Sequence, residues 1–267
     1  MNAADRHLSV PGARLRYRDE GAGHAWVLVH GWTLDLEMWE PQAALARHAR
    51  VLRYDRRGFG LSSGSPALTD DIADLRALLA ARRVVSPVLV GMSQGARVVL
   101  EFAARFPNVA AGLVLDGPPP FAANGPAGDL PMAEFRQIAG RDGLGAFRAA
   151  WRSHPLTRLL TADSQTRALL DAILARYPGH DLLAPAAPSG ECLDERMLAG
   201  IRTPALIVNG AHDVDSRRRA ALELREALPS ADYALIEGAA HLPNLDAPHA
   251  YNRFICEFAS RHIPAAA

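Results

Sequence analysis

The sequence predicts an α/β fold with a mostly parallel central sheet flanked by helices. Along the 267 residues, short apolar runs alternate with segments of helical periodicity. Such alternation is typical of parallel strands joined by right-handed helical crossovers. Strand signals disappear from about residue 121 to residue 198, where Pro, Gly and short helical patterns dominate. We therefore expect a core domain of residues 1–120 and 199–267, interrupted by a helical cap insertion of residues 121–198.

Each predicted element has a local reason. The chain opens with two short strands separated by the turn dipeptide Pro11-Gly12, which indicates a hairpin. The apolar run from Trp26 to Val29 stops at His30-Gly31 and predicts a strand buried on both faces. Further strands are predicted at residues 51–54, 87–90, 111–115, 205–208 and 233–236. Helices are predicted at residues 38–47, 70–82, 94–105, 216–228 and 250–261.

Composition and charge limit the classes of partner. Hydrophobic residues make up 49% of the chain and charged residues 22%, as in globular proteins that bury a large core. The 29 basic and 29 acidic residues balance, so we expect neither nucleic acid nor an anionic membrane as a partner. We interpret the densest basic run, Arg217-Arg218-Arg219, as the solvated first turn of a helix, because no aromatic residues are interleaved with it.

The N-terminal residues and the cysteine count are typical of an ordinary cytoplasmic protein. The first residues lack the apolar segment of a secretory signal, and no run approaches the ~20 apolar residues of a membrane span, so we expect a cytoplasmic protein. Two cysteines are too few for a disulfide framework. Cys256 stands in the apolar pattern of Phe254, Ile255 and Phe258, which predicts a buried structural thiol.

The segment Gly91-Met92-Ser93-Gln94-Gly95 is a G-x-S-x-G motif between a predicted strand and a predicted helix, the context in which this motif is informative. A nucleophile there occupies a cramped turn, so Gly91 and Gly95 must lack side chains to let strand and helix pack closely. Unpaired N–H groups at the helix N-terminus favour developing negative charge. We predict that Ser93 is a catalytic nucleophile; the alternative is a serine that caps a helix.

A serine nucleophile needs a general base and a group that orients the base. His241 is the leading base, because it lies in a small-residue loop after the strand at 233–236, from which an imidazole can reach back across the strand ends. His249 and His212 compete less well. His249 lies at the edge of the last helix, and His212 neighbours the predicted acid.

For the acid we choose Asp213, which follows the strand at 205–208 and gives the chain order Ser, Asp, His. Asp215 is a rival that also suits a helix N-terminus. Asp116 is a second rival, because some hydrolases take their acid from the earlier strand. Metal binding by His212, Asp213 and Asp215 is the other interpretation, but no compatible ligand motif accompanies them.

Backbone N–H groups are the expected donors to a tetrahedral oxyanion. Gln94, directly after the nucleophile, supplies one donor, and the loop His30-Gly31-Trp32 supplies the other. His30 is then a brace for that loop rather than a base. The turn-rich stretch from Asp55 to Ser62 follows the next strand, and we predict a structural role for it near the site.

These motifs together resemble the α/β-hydrolase superfamily over nearly the whole chain. Residues 30–40 are similar to bacterial arylesterases, some of which also make peracids, whereas residues 241–248 are closer to 3-oxoadipate enol-lactonases. The resemblance implies the α/β-hydrolase fold and a substrate-selecting cap of residues 121–198. It also implies a catalytic triad and an oxyanion hole, with Ser93, Asp213 and His241 in the triad and the N–H groups of Trp32 and Gln94 in the hole.

Two residues of this chain differ from those that particular families of this superfamily carry at the same place in their motifs. Leu242 replaces the aromatic residue that meta-cleavage C–C hydrolases carry just after their catalytic histidine. Ser93 stands where haloalkane dehalogenases and epoxide hydrolases have an aspartate, which argues against both.

We expect an enzyme that hydrolyses a small carboxylic ester or lactone through an acyl-enzyme, without cofactor or metal. The alternatives are C–C hydrolysis of a vinylogous keto acid and, from another class, a ligand-binding sensor on the same fold. A pure receptor has no physical need for a triad, which argues against the sensor. Arg148, Arg152 or His154 could meet a substrate carboxylate, but the favoured interpretation is exposed charge on a helix. The candidate pocket residues, which could equally be cap core, are Phe135, Phe147, Trp151 and His154.

Overall fold

The computed structural model describes residues 4–121, 130–184 and 193–263. Eight strands in these ranges form one sheet with the spatial order β1-β2-β4-β3-β5-β6-β7-β8. β2 pairs in antiparallel fashion with both β1 and β4, and strands β3 to β8 run parallel to one another. The strands are β1 Arg6–Val10, β2 Ala13–Gly21, β3 Ala25–Val29, β4 Arg50–Tyr54, β5 Val88–Met92, β6 Gly112–Asp116, β7 Ala205–Gly210 and β8 Ala231–Ile236. The predicted mostly parallel α/β fold is confirmed.

Helices connect the strands and cover both faces of the sheet. The α-helices in the described ranges are α1 Leu68–Ala81, α2 Gln94–Arg105, α3 Met132–Arg152, α4 Ser164–Arg176, α5 His180–Leu183, α6 Glu195–Gly200, α7 Asp215–Ala227, α8 Pro243–Asp246 and α9 Pro248–His262. The predicted helix at 38–47 is instead a 3-10 segment, Leu36–Arg47, which contains Pro41. Proline removes a backbone donor, so a regular α-helix is disfavoured there. None of these helices combines the length and apolar character that a bilayer crossing requires.

Two apolar clusters hold the sheet between its helical layers. Side chains of a strand point alternately to opposite faces. In β3, Trp26 and Leu28 belong to one cluster and Val27 and Val29 to the other. β3 is therefore buried on both faces, as its uninterrupted apolar run predicts.

Helices α3, α4 and α5 lie in the chain between β6 and β7, and we call residues 130–184 the helical insertion. Its buried side chains belong to the same apolar cluster as Trp32 and Met92 of the core. Leu198 of α6 belongs to the opposite cluster, with residues of α2 and α7. The cap boundaries at residues 121 and 198 stay predictions, and residues 122–129 and 185–192 of that segment lie outside the described residues.

The prediction of a buried thiol at Cys256 is wrong, because Cys256 is exposed on α9. The helix buries Tyr251, Ile255 and Phe258, which recur at intervals of three and four residues. Cys256 falls between two of these buried positions and faces outward.

Two glycines flank the turn between β5 and α2, and there the backbones of β5, α2 and the end of β3 lie in close contact. A Cβ atom on Gly91 would lie 2.3 Å from the carbonyl oxygen of Gly95. One on Gly95 would lie 2.3 Å from the carbonyl oxygen of Val29, at the end of β3. Neither contact is possible for a real Cβ, so the helix can approach the sheet this closely only with glycine at both positions.

We expect Gly95→Ala to lower the free energy of unfolding by about 3 kcal/mol, because the added methyl group meets rigid backbone. Equilibrium urea unfolding measures this change. Gly145→Ala is the matched control, since Gly145 lies in α3 with no atom within 4 Å of an added Cβ. Helix propensity predicts that it raises stability by about 0.5–1 kcal/mol. A Gly95→Ala protein as stable as the wild type would contradict the packing described above.

Candidate active site

Ser93 occupies the sharp turn between β5 and α2. Its φ of 52° lies in the left-handed region, which non-glycine residues rarely adopt. The Ser93 N–H donates to the Asp116 carbonyl oxygen at 2.7 Å, and the Ala96 N–H donates to the Ser93 carbonyl oxygen at 2.9 Å. The end of β6 and the first turn of α2 therefore hold the strained residue in place. Strain of this kind concentrates at functional sites.

His241 and Asp213 form a buried pair beside this turn. Nδ1 of His241 lies 3.0 Å from both carboxylate oxygens of Asp213. The carboxylate also accepts hydrogen bonds from Asn209 Nδ2 at 3.0 Å and from the Val214 N–H at 2.8 Å. Burial alone would raise the pKa of Asp213, but the charge of His241 and these hydrogen bonds outweigh it and lower the pKa below its ordinary value. An ionised Asp213 orients the ring and leaves Nε2 for another partner.

Ser93 and His241 line the same cavity. Strands β3, β5, β6, β7 and β8 run parallel, so the loops that follow them meet at one edge of the sheet. The described residues that line the cavity are Trp32, Thr33, Leu34, Met92, Ser93, Leu130, Trp151, Leu156, Thr157, Arg217, His241 and Leu242. Apolar side chains dominate this wall.

Asp116 and Asp215, the two alternative candidates for the catalytic acid, lie in environments that differ from that of Asp213. Asp116 is fully buried at the end of β6, and burial, followed by the charge of Asp213, raises its pKa well above the ordinary value. Its carboxyl group is therefore held in the neutral form. Asp215 has an exposed side chain that pairs with Arg218 one turn along α7. Asp213 is the carboxylate that contacts the imidazole of His241.

Gly117 is a site residue that sequence reasoning missed. It follows β6 with a φ of 50°, and a Cβ atom there would lie 2.8 Å from Cε1 of His241 and 3.0 Å from Nδ1. The imidazole can lie against Asp213 only because residue 117 has no side chain. An Asp-Gly pair directly after a buried strand was the available signal.

The loop after β3 approaches the nucleophile closely. A Cβ atom on Gly31 would lie 2.7 Å from Sδ of Met92. His30 is buried; its Nδ1 lies 2.8 Å from the Gly31 carbonyl oxygen, and its Nε2 accepts from the Arg56 N–H at 2.8 Å. Burial and the charge of Arg56 lower the pKa of His30 well below its ordinary value, so the ring is neutral and braces the loop. Arg56 also donates to Oε1 of Gln94 at 2.6 Å, next to the nucleophile.

The helical insertion binds this same loop through two indole groups. Nε1 of Trp32 donates to the carboxylate of Asp181 in α5 at 2.5 Å. Nε1 of Trp151, in α3, donates to Oγ1 of Thr33 at 2.7 Å. The residues that carry the predicted second oxyanion donor are therefore anchored to the insertion as well as to the core.

The four residues predicted to line the substrate pocket differ in whether they reach the cavity. Trp151 lines the cavity, and its ring centroid lies 4.8 Å from that of Trp32. Phe135 and Phe147 are buried and pack against Trp32, with ring centroids 6.1 and 5.8 Å away. The ring of His154 stacks on Trp151 at 4.8 Å. The four residues form one aromatic cluster around Trp32, of which Trp151 reaches the cavity.

The interpretation of Arg217 as part of a solvated turn is wrong. Arg217 is 2% exposed and lines the cavity, whereas Arg219 is exposed. The buried face of α7 carries Arg217, Ala220, Ala221 and Leu224, which follow the helical repeat. The small and apolar residues at 220, 221 and 224 were the signal that places position 217 on the inner side.

Residues 26–254 match the family model described as the alpha/beta hydrolase family. The chain belongs to the α/β-hydrolase family. The resemblance drawn from the sequence motifs is thereby confirmed, and so is the α/β-hydrolase fold.

Relatives of this α/β hydrolase include enzymes of ester and lactone chemistry. It is similar to a pimeloyl-[acyl-carrier protein] methyl ester esterase from Sodalis glossinidius, with 30% identity over 241 residues that cover 87% of this chain and 92% of the relative. The enol-lactonase of Burkholderia xenovorans LB400 has a similar structure, with a TM-score of 0.80, 25% identity and coverage of 96% of this chain and 100% of that chain. A bromoperoxidase from Bacillus anthracis is equally similar, with a TM-score of 0.80, 25% identity and coverage of 96% and 100%.

Replacing the buried carboxyl groups of Asp213 and Asp116 should have different effects on the activity of this α/β hydrolase. We expect Asp213→Asn to lower kcat/KM for ester hydrolysis by about 10³- to 10⁴-fold, because the amide no longer stabilises the charged imidazole or fixes its tautomer. Asp116→Asn is the matched variant and should retain activity within about threefold, since it replaces a carboxyl group that is already neutral. A larger loss in Asp116→Asn than in Asp213→Asn would reverse the choice of acid.

The raised pKa of Asp116 also predicts a pH dependence of stability. Above the ordinary pKa of 3.8, the unfolded chain ionises at this position while the folded protein keeps the proton, so rising pH favours the unfolded state. Asparagine at position 116 does not titrate, so the Asp116→Asn protein does not lose this stability as the pH rises. The stability of Asp116→Asn relative to wild type should therefore increase from about pH 5 to pH 8, as measured by urea unfolding at both values. A pH-independent difference would show that Asp116 is ionised in the folded protein.

Proposed function

We propose that this protein is a serine esterase or lactonase, which cleaves a small carboxylic ester or lactone through an acyl-enzyme on Ser93. The observation that carries the proposal is the shared cavity of Ser93 and His241, with Nδ1 of His241 held 3.0 Å from both carboxylate oxygens of Asp213. A hydroxyl on a strained turn, an imidazole and an oriented carboxylate are the groups that acyl transfer to serine requires.

In the proposed reaction, Oγ of Ser93 attacks the carbonyl carbon while Nε2 of His241 takes the hydroxyl proton. The N–H groups of Trp32 and Gln94 donate to the oxyanion of the tetrahedral intermediate. Each such donor typically contributes ~2.7 to 4 kcal/mol to the transition state. The imidazolium then protonates the leaving alkoxide, and the acyl-enzyme forms. Water, activated by the same imidazole, releases the acid and restores the Ser93 hydroxyl.

The cavity and the relatives support a small substrate. A cavity beside Ser93 with mainly apolar walls suits a small organic molecule with few polar groups. The similar proteins include a methyl ester esterase and an enol-lactonase, whose names describe cleavage of an acyl C–O bond. In this proposal residues 121–198 act as the cap that selects the substrate, with Trp151 and Leu156 as described contributions to the wall.

A fluorophosphonate probe tests the nucleophile directly. We expect the wild-type protein to gain the mass of one covalent adduct and Ser93→Ala to gain none, as measured by intact-mass spectrometry. Ser93→Ala should also lose ester hydrolysis by at least about 10³-fold. Ser153→Ala is the control, because Ser153 has an exposed side chain at the end of α3 and should label as the wild type does.

Two outcomes would contradict this function. Absence of an adduct on the wild type would exclude a reactive serine and favour the sensor alternative. An adduct that persists in Ser93→Ala would place the nucleophile elsewhere. A substrate panel of p-nitrophenyl esters of graded chain length, a few lactones and one ring-cleavage keto acid then separates ester, lactone and C–C hydrolysis.

A further inference from the structure

The helical insertion holds Trp32, the predicted second oxyanion donor, through its side chain and through its carbonyl oxygen. The indole donates from Nε1 to Oδ2 of Asp181 at 2.5 Å. The carbonyl oxygen of Trp32 accepts from Oγ1 of Thr33 at 2.6 Å, and that hydroxyl accepts from Nε1 of Trp151 at 2.7 Å. Asp181 and Trp151 both belong to the insertion. Neither contact uses the backbone N–H of Trp32, which is the group that the proposed reaction needs.

Asp181 is itself held by other parts of the insertion. Its Oδ1 accepts from the hydroxyl of Tyr177, which directly follows α4. Burial, followed by the charge of Asp181, raises the pKa of Tyr177 above its ordinary value, so the hydroxyl keeps its proton and stays a donor. Arg136 of α3 donates to the carbonyl oxygen of Ala184 at 2.7 Å, just after α5. The carboxylate therefore meets the indole from a fixed position.

The backbone next to Trp32 depends on such contacts. Thr33 has a φ of 63°, in the left-handed region, where a β-branched residue is an outlier. A conformation of this kind is unfavourable and persists only where the surrounding structure imposes it. The hydroxyl of Thr33 supplies two of the contacts that do so, one of them to Trp151 of the insertion. The loop after β3 therefore takes its shape from the insertion as well as from the core.

The position of this N–H matters because the oxyanion exists only in the tetrahedral intermediate and in the transition states beside it. A donor held at the right distance stabilises that charge without having to move, and a small displacement weakens the effect strongly. Contacts that hold the donor therefore raise kcat, while binding of the substrate in the ground state changes little. A residue that only lines the pocket would alter KM instead.

We propose that Asp181 and Trp151 are positioning residues, through which the helical insertion holds the Trp32 N–H on the oxyanion and so raises kcat. This inference rests on the proposed function, because it assigns the oxyanion to an ester carbonyl that Ser93 has attacked. It gives the insertion a part in the chemical step in addition to its part in the cavity wall. The enzyme should lose rate when the two indole contacts are broken, even though the proposed triad is intact.

Removing the carboxylate at position 181 tests the proposal in ester hydrolysis. We expect Asp181→Ala to lower kcat for p-nitrophenyl butyrate by about tenfold to hundredfold, the scale expected for a misplaced catalytic group, with KM within about threefold of wild type. Asp181→Asn keeps an oxygen acceptor for the indole N–H and should retain most of the kcat. Trp151→Phe removes the other indole donor and should lower kcat in the same way.

An inhibitor that forms an oxyanion separates positioning from a general loss of structure. With butyl trifluoromethyl ketone, Oγ of Ser93 adds to the carbonyl carbon, His241 takes the hydroxyl proton, and the carbonyl oxygen becomes an anion in the oxyanion hole. The corresponding trifluoromethyl alcohol has no carbonyl group to attack and measures ordinary binding. We expect Asp181→Ala to weaken inhibition by the ketone by about the factor by which kcat/KM falls, and inhibition by the alcohol by less than about threefold.

Asp171→Asn is the matched control, because it also removes a carboxylate from the insertion. Asp171 of α4 pairs with Arg152 of α3. We expect this variant to match the wild type within about twofold, both in kcat and in inhibition by the ketone, since the pair is largely exposed. If Asp181→Ala does not fold, Trp32→Phe breaks the same hydrogen bond from the other side and should give the same shifts.

The results distinguish this inference from the proposed function. A wild type that hydrolyses esters and binds the ketone more tightly than the alcohol, combined with unchanged kcat in Asp181→Ala or Trp151→Phe, overturns the positioning role of that residue and leaves the esterase function intact. A rise in KM alone, or equal weakening of ketone and alcohol, also overturns it. So does an Asp171→Asn protein with the same loss as Asp181→Ala, because the effect would then be general to the insertion. A wild type that neither hydrolyses esters nor binds the ketone preferentially overturns both.

Discussion

The close contact between β3, the β5–α2 turn and the start of α2 is the constraint on which the site depends. No side-chain atom fits at Gly91 or Gly95, so the turn closes tightly and Ser93 takes a φ of 52°. The same contact places the N-terminus of α2 beside the loop after β3. One packing arrangement therefore imposes the strained backbone of Ser93 and also brings the N–H groups of the helix N-terminus close to those of the loop.

The sequence was sufficient for the fold class and for most of its elements. Apolar runs and helical periodicity are local signals, and the predicted bounds lie within two residues of the observed ones at either end. The proximity of His241 and Asp213 also followed from sequence, because parallel strands β7 and β8 end at the same edge of the sheet. Their order after Ser93 then suggested a triad, which the shared cavity supports.

Features that depend on tertiary packing were not predicted. Gly117 matters because the imidazole of His241 occupies the space that a side chain at position 117 would need, and the position of an imidazole 124 residues away is set by the tertiary fold. The burial of Arg217 was not predicted, because the basic run was interpreted from its charge alone. The helical repeat places Arg217 on the same face of α7 as Ala220 and Leu224. The aromatic cluster around Trp32 likewise required knowledge of how the helical insertion packs on the core.

A crystal structure of the fluorophosphonate adduct tests the central claim most directly, because the phosphonyl oxygen occupies the position of the oxyanion. We expect density continuous from Oγ of Ser93 to phosphorus, with the phosphonyl oxygen about 2.7–3.1 Å from the N–H groups of Trp32 and Gln94. Nε2 of His241 should lie within hydrogen-bond distance of Oγ. A phosphonyl oxygen turned away from both N–H groups, with the imidazole of His241 out of reach of Ser93, would contradict it.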